Sequence, residues 1–442
     1  MTGNRWLTPV ALILLGGLSA GVLVAEIAAH GVSDNRFIGL TMLQALIALA
    51  ATRIVREQCG WAVALAVFAG AIVFRLILFA QPPMLSDDIY RYVWDGRVIN
   101  AGFNPFSHVP ADPALVLLRD EAIYSLVDKK DYAVTIYPPM AQAVFAVVTR
   151  LSGGLSAMKL AMLAFEALAV AAMWSLLKRM GKNPLLVVAY LWHPAPIWEI
   201  ANNGHVDAVM MALLLAAFAC GAAQGWGTAR GLPYRAGALM ALAALAKPYG
   251  ALWLAAIWKP FDVRLPIFVL AVAVVCYLPF ASAGTGIFGF LGTYLHEQGL
   301  DTGNGFYFVG LFSGFAAQAA IRNAWLAGSA LLLLAMAVLF ARRPGRTTKM
   351  RLHEAQALTL TFLFVLSPVY PWYFLLAAPF VALTGSWCAF AMMTTGFWLY
   401  TFNADQFEFP QRWGLSLAII AISGGVDIFR TWRRNKNQEV VP

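Results

Sequence analysis

An acidic pair stands at the start of the most unusual polar segment of the chain. Asp87 and Asp88 follow an apolar run and two prolines, and they open the stretch LSDDIYRYVWDGRVINAGFNPF at 85–106. Ionised groups beside a hydrocarbon boundary are costly and tend to be functional. We therefore take this pair as the first candidate for a chemical site.

The residues after the acidic pair have helical spacing. Asp88, Arg91 and Asp95 would share one face of a helix, because they lie three and four positions apart. Tyr90 and Trp94 would share a neighbouring face, which suits either the membrane interface or a sugar ring. The alternative is a solvated amphipathic helix whose charges form internal ion pairs.

Two further polar groups interrupt apolar stretches. Asn202, Asn203, His205 and Asp207 come just before an apolar run, where they form either a site or a polar turn that caps the next helix. Lys247 precedes a proline inside an otherwise apolar segment. A lysine there needs an anion such as a phosphate, unless its ammonium reaches the interface.

Three further residues are weaker candidates for the site. Tyr370 and Tyr373 form either an aromatic belt or a substrate wall, and Arg412 either binds phosphate or only flanks a span. No nucleotide-binding, zinc-protease or serine-hydrolase motif is present. Because the two aspartates are adjacent, a divalent metal is possible but not indicated, and we predict no cofactor.

Composition sets the class of protein. The chain has 442 residues, of which 61% are hydrophobic and only 12% charged, whereas a soluble domain is about a quarter charged. Apolar runs of about twenty residues recur from end to end, and each is long enough to cross a bilayer. The net charge of +9 reflects basic cytoplasmic loops rather than nucleic-acid binding. We predict an all-α polytopic membrane protein with about 12–14 transmembrane helices.

The predicted arrangement is one transmembrane domain, 1–442, with outer loops at 81–155 and 284–322. Fourteen spans place every basic cluster and both termini in the cytoplasm under two conditions. Residues 138–152 must form an interfacial or re-entrant helix on the outer side, and 233–258 must form a hairpin of two short helices. Nearly all unusual polar residues then face the outer side, where we expect the site. The spans are predicted at 7–28, 37–55, 61–80, 156–178, 184–200, 206–224, 233–246, 248–258, 265–283, 323–341, 354–368, 371–386, 387–403 and 411–430.

Residues 80–260 resemble the GT-C superfamily of membrane glycosyltransferases, and in particular the bacterial mannosyltransferases that use polyprenol-phosphate mannose. The resemblance depends on an ordered set of features: the acidic pair in the first large outer loop, Tyr137-Pro138-Pro139, the polar loop with Asn203 and Asp207, and the break at Lys247-Pro248.

This resemblance implies an inverting transfer of a hexose, most often mannose, at the outer face of the cell (inner) membrane. The donor would be a polyprenyl-phosphate sugar and the acceptor a lipid or glycan among the membrane lipids, with no nucleic acid involved. Asp87 or Asp88 would be the general base. Lys247 would bind the donor phosphate, with His205 or Arg412 as the second choice. Residues expected at the acceptor or sugar are Tyr90, Arg91, Trp94, Asp95, Asn203, Asp207, Tyr370 and Tyr373.

Two other functions compete with this one. A glycan polymerase or ligase would share the outer-face site. A lipid-linked sugar transporter or flippase would instead place ionisable residues near the middle of spans, with broken helices in matched halves. The helix breaks in this chain do not occur in matched halves, and its cytoplasmic loops are short and mostly basic. Both features favour the enzyme.

Overall fold

The computed structural model describes residues 7–226, 234–259, 262–312, 314–400 and 408–439, and these residues contain helices but no strands. The all-α prediction is therefore confirmed. The main helices are α1 (Leu7–Ala29), α2 (Asp34–Val55), α3 (Trp61–Phe79), α4 (Asp88–Asn100), α5 (Pro139–Leu151), α6 (Leu155–Arg179), α7 (Asp207–Ala223), α8 (Tyr234–Ala246), α9 (Arg264–Tyr277), α10 (Gln318–Arg342), α11 (Thr348–Leu366), α12 (Trp387–Gly396) and α13 (Glu408–Glu439).

Seven helices in the described ranges are long and apolar enough to cross a membrane, or up to eight if one bent pair counts as a span. This confirms a polytopic membrane protein, although fewer helices reach spanning length than the fourteen expected. Five shorter apolar helices account for much of the difference: Pro139–Leu151, Tyr234–Ala246, Pro248–Ile257, Pro371–Leu383 and Trp387–Leu399.

The span expected at 184–200 is not one helix. The chain instead forms a 3-10 turn at Pro184–Val187, two short helices, and a π-helical turn at Ile197–Asn202. Prolines at 184, 194 and 196 explain the interruption, because a proline inside a helix removes a hydrogen bond and clashes with the preceding turn.

The contacts divide the chain into two compact units. The first unit comprises Met1–Phe74, Gly181–Ile197 and Thr359–Pro442. Within it, the buried Trp192 donates a hydrogen bond of 2.9 Å to the carbonyl of Val67. The buried His193 ring lies 3.1 Å from the hydroxyl of Thr394, so this histidine is a paired structural group.

The second unit comprises Arg75–Met180 and Trp198–Leu358. In it, α7 packs on α6 and on α8, and α4 packs on α5. Arg75 and Glu166 form a buried two-point ion pair, with N–O distances of 2.7 and 2.6 Å. This pair gives both residues a structural role, since a charge in an apolar segment needs an opposite charge.

Candidate functional site

Within the second unit, two asparagine side chains hold the segment that leads to the acidic pair. Asn202 accepts a hydrogen bond of 2.8 Å from the Met84 N–H and donates to the carbonyl of Pro82 at 2.8 Å. Asn203 accepts from the Leu85 N–H at 3.1 Å. Both asparagines are fully buried. The sequence segments around Asp88 and His205 therefore lie together, although they are far apart in the chain.

His205 lies between two carboxylates. Its Nδ1 is 3.8 Å from Oδ2 of Asp88, and its Nε2 is 3.3 Å from Oε2 of Glu199. His205 and Glu199 are buried, whereas a third of the Asp88 side chain is exposed. The group therefore reaches from the interior to a surface that a substrate can approach.

A second charged group follows in the same polar turn. Asp207 begins α7 and is fully buried, and its Oδ2 lies 3.1 Å from Nζ of Lys247. The hydroxyl of Tyr249 donates a hydrogen bond to the other carboxylate oxygen. Lys247 precedes a 3-10 turn at Pro248–Trp253, so the predicted break at Lys247-Pro248 is present. The structure thus pairs the predicted phosphate ligand Lys247 with the predicted acceptor residue Asp207.

Two buried tyrosines connect the charged groups. The pKa of the Tyr92 hydroxyl is raised well above its usual range, first by burial and then by the charges of Asp88 and Asp207. The pKa of the Tyr137 hydroxyl is likewise raised, by burial and then by Asp88. The rings meet edge to face with centroids 4.9 Å apart. His205 approaches Asp88, and Asp207, two positions later in the same turn, approaches Lys247.

Asp87 has a different environment from Asp88. It is exposed, and its side chain makes no capping hydrogen bond to α4. The pKa of its carboxyl is raised, first by partial burial against the protein and then by the negative charges of Asp128 and Asp88. A carboxylate that is accessible and more basic than usual has the properties of a proton acceptor.

The other predicted residues of α4 have partners inside the protein. Arg91 and Asp95 form an ion pair at 2.7 Å, and Asp95 also accepts hydrogen bonds from Thr135 and Gln142 at 2.5 and 3.1 Å. The contact with Gln142 joins α4 to α5. The internal ion pair of the alternative is present, but both of its residues are buried rather than solvated. Trp94 is 1% exposed and packs against another ring, and Tyr90 is 7% exposed, so neither presents a free ring face to solvent.

Three predicted residues belong to the first unit. Tyr370 and Tyr373 flank Trp372, and the three rings stack with centroid distances of 4.4 and 6.5 Å. Arg412 lies near the start of α13. Their assignments to substrate and phosphate stay predictions.

Sequence reasoning missed Glu199 and Tyr249. Glu199 could have been noticed as a lone acidic residue in an apolar stretch, and Tyr249 lies two positions after the lysine that was selected. Among the residues that the structure describes, no group of three or more His, Cys, Asp or Glu side chains is arranged to hold a metal ion.

Comparison with known families gives one result. Residues 8–259 match the model of the MptA_B family, which is described as alpha-(1->6)-mannopyranosyltransferase, N-terminal domain. The match covers more than half of the chain and includes every residue of the site in the second unit described above. Searches of curated proteins and of solved structures gave no significant match.

Proposed function

The chain belongs to the alpha-(1->6)-mannopyranosyltransferase family and is a membrane glycosyltransferase of the GT-C type, and on this premise we propose how it transfers mannose. The donor is a polyprenyl-phosphate mannose, and the acceptor is a hydroxyl group of a lipid or glycan. The reaction inverts the anomeric carbon, so an alpha product requires a beta-linked donor. The site faces the outer side of the cell membrane, and both termini are cytoplasmic.

One arrangement carries this proposal: His205 and Asp207, two positions apart in the polar turn, approach Asp88 of the acidic pair and Lys247 respectively. The transfer needs a carboxylate to accept the acceptor proton and a cation to balance the charge that develops on the leaving phosphate. Asp87 supplies the first group and Lys247 the second. A transporter requires neither group in this arrangement.

Asp87 is a better candidate than Asp88 for the general base. Asp88 already lies beside the imidazole of His205, and its charge raises the pKa of the buried Tyr137. Asp87 is exposed, and the raised pKa of its carboxyl makes it a stronger base at a pH where it is still ionised.

The chemical step uses these groups as follows. The acceptor oxygen attacks the anomeric carbon of mannose while its proton moves to Asp87. The bond between that carbon and the phosphate oxygen breaks, and its electron pair leaves with the lipid phosphate. Lys247 stabilises this charge, for which it must exchange some of its interaction with Asp207. Before the donor binds, Asp207 holds the lysine in place.

The test is a transfer assay on the purified protein in lipid. Polyprenyl-phosphate hexoses, mannose first, are supplied with a membrane glycolipid extract, and donor and product are followed by mass spectrometry. The variants are Asp87→Asn, Asp88→Asn and Lys247→Ala. Asp112→Asn and Lys130→Ala are matched controls in the same outer segment, and adding EDTA tests the expectation that no metal is needed.

We expect Asp87→Asn to abolish transfer while the donor still binds, and Lys247→Ala to weaken donor binding. The controls should behave as wild type. If Asp87→Asn retains full activity and Asp88→Asn does not, the base is Asp88. If no polyprenyl-phosphate sugar is consumed with any acceptor, the proposed donor is wrong.

A further inference from the structure

The imidazole of His205 is a buried link between the acidic pair and a carboxylate that the reaction itself does not use. His205 is fully buried and Glu199 is 1% exposed. The two residues close one turn of backbone, because the His205 N–H donates to the Glu199 carbonyl at 3.0 Å. Asn203 donates to the Glu199 carboxylate at 2.9 Å. The Glu199 carboxylate therefore accepts from Asn203 at Oε2, the same oxygen that faces the ring.

The chemistry of the three groups explains why they interact. An ionised carboxylate can only accept hydrogen bonds, whereas a histidine ring presents one N–H group when it is neutral and two when it is protonated. His205 places one nitrogen toward Glu199 and the other toward Asp88. A buried carboxylate is costly unless a cation or donor compensates it. The ring can compensate both carboxylates only while its orientation is fixed.

The backbone supports a role in the site rather than in packing alone. Glu199 lies in a π-helical turn. Such turns are rare in proteins, and many of those that occur are at functional sites. This turn leads directly into Gly204, His205 and Asp207. A shift of Glu199 would therefore move His205, which lies beside Asp88.

We propose that Glu199 is a positioning residue that acts through His205 to hold the Asp88 carboxylate, and with it the neighbouring Asp87, at the start of α4. The inference rests on the proposed function, because it assigns the acidic pair to the chemical step. Donor binding is assigned to Lys247, whose ion-pair partner is Asp207.

The first test is kinetic. Glu199→Gln keeps the volume of the side chain and an oxygen for Asn203 but removes the charge. We expect kcat to fall about tenfold or more, while the KM for the donor changes less than about twofold. In a His205→Gln background, Glu199→Gln should cause no further loss. The matched control is Glu166→Gln, which removes another buried carboxylate of the same unit and should retain its full effect in that background.

The second test does not need catalysis. The free energy of unfolding is measured for Glu199→Gln, Asp88→Asn and their combination, with and without His205→Gln. Glu199 and Asp88 should be coupled only while His205 is present. Additive effects in both backgrounds, or an active Glu199→Gln enzyme with unchanged kcat, would overturn the inference. If wild type consumes no polyprenyl-phosphate sugar, the proposed function fails, and the unfolding cycle still decides the inference.

Discussion

Gly204 offers a sharp test of how the polar turn positions the acidic pair. Its φ of +67° lies in the left-handed region, which costs a residue with a side chain about 1–2 kcal/mol. A Cβ at this position would lie 2.6 Å from Cδ1 of Ile89, the residue that follows Asp88. Ile89 is fully buried, and its Cδ1 is the far end of the side chain, so this methyl group must rotate within the protein interior to make room.

The expected cost of Gly204→Ala has two parts. The backbone contributes about 1–2 kcal/mol, and displacing one buried methyl group adds about the same. We therefore expect a loss of about 2–4 kcal/mol in the free energy of unfolding. Transfer activity should fall as well, because the displaced Ile89 moves the start of α4.

Two variants separate the parts. Ile89→Val removes the Cδ1 atom itself, so it should recover the steric part in the Gly204→Ala background while costing about 0.5–1.5 kcal/mol alone. Gly102→Ala is the matched control: Gly102 has a φ of +85°, and nothing lies within 4 Å of its added Cβ. The Gly102→Ala variant should lose only the backbone contribution to the free energy of unfolding.

The assay is chemical unfolding in mixed micelles, combined with mannosyl transfer in lipid. The reasoning is refuted if Gly204→Ala costs no more than Gly102→Ala. It is also refuted if the effects of Gly204→Ala and Ile89→Val add within about 0.5 kcal/mol, as they do for independent sites.

Three other predictions follow from the contacts and charges in the structure. Because the pKa of Asp87 is raised by burial, Asp128 and Asp88, activity should be lost on acidification at a higher pH than for an ordinary aspartate. Asp128→Asn should move this acidic limb to lower pH, and an unmoved limb in the pH profile of kcat/KM would contradict the assignment. Glu166→Ala should cost about 3–5 kcal/mol in unfolding free energy, because it leaves the buried Arg75 without its carboxylate. Asp427→Asn should cost about 1–3 kcal/mol, since this carboxylate accepts hydrogen bonds from the first N–H groups of α12; a melting temperature equal to wild type would exclude that role.

Local patterns predicted the helices well where an uninterrupted apolar run defines them. The spans predicted at 7–28 and 156–178 correspond to Leu7–Ala29 and Leu155–Arg179. The span predicted at 184–200 was wrong, because the hydropathy of this segment resembles that of a span while its prolines prevent one continuous helix. Apolar composition reports burial in lipid or protein, but it does not report helix continuity.

The sequence by itself determined that this is an all-helical membrane protein, and it selected the acidic pair, the polar turn and the lysine as unusual. It also gave the Arg91–Asp95 contact, because residues four positions apart on a helix are neighbours. These results need only composition and short-range periodicity.

Only the tertiary structure decided which of these groups meet. Lys247 joins Asp207 through the packing of α8 against α7, and His205 reaches Asp88 because two asparagines hold the chain before α4. Glu199 gained its importance in the same way, since its partner ring contacts a carboxylate more than a hundred positions away in the chain. No periodicity carries such information, because contacts between distant segments depend on how whole helices pack.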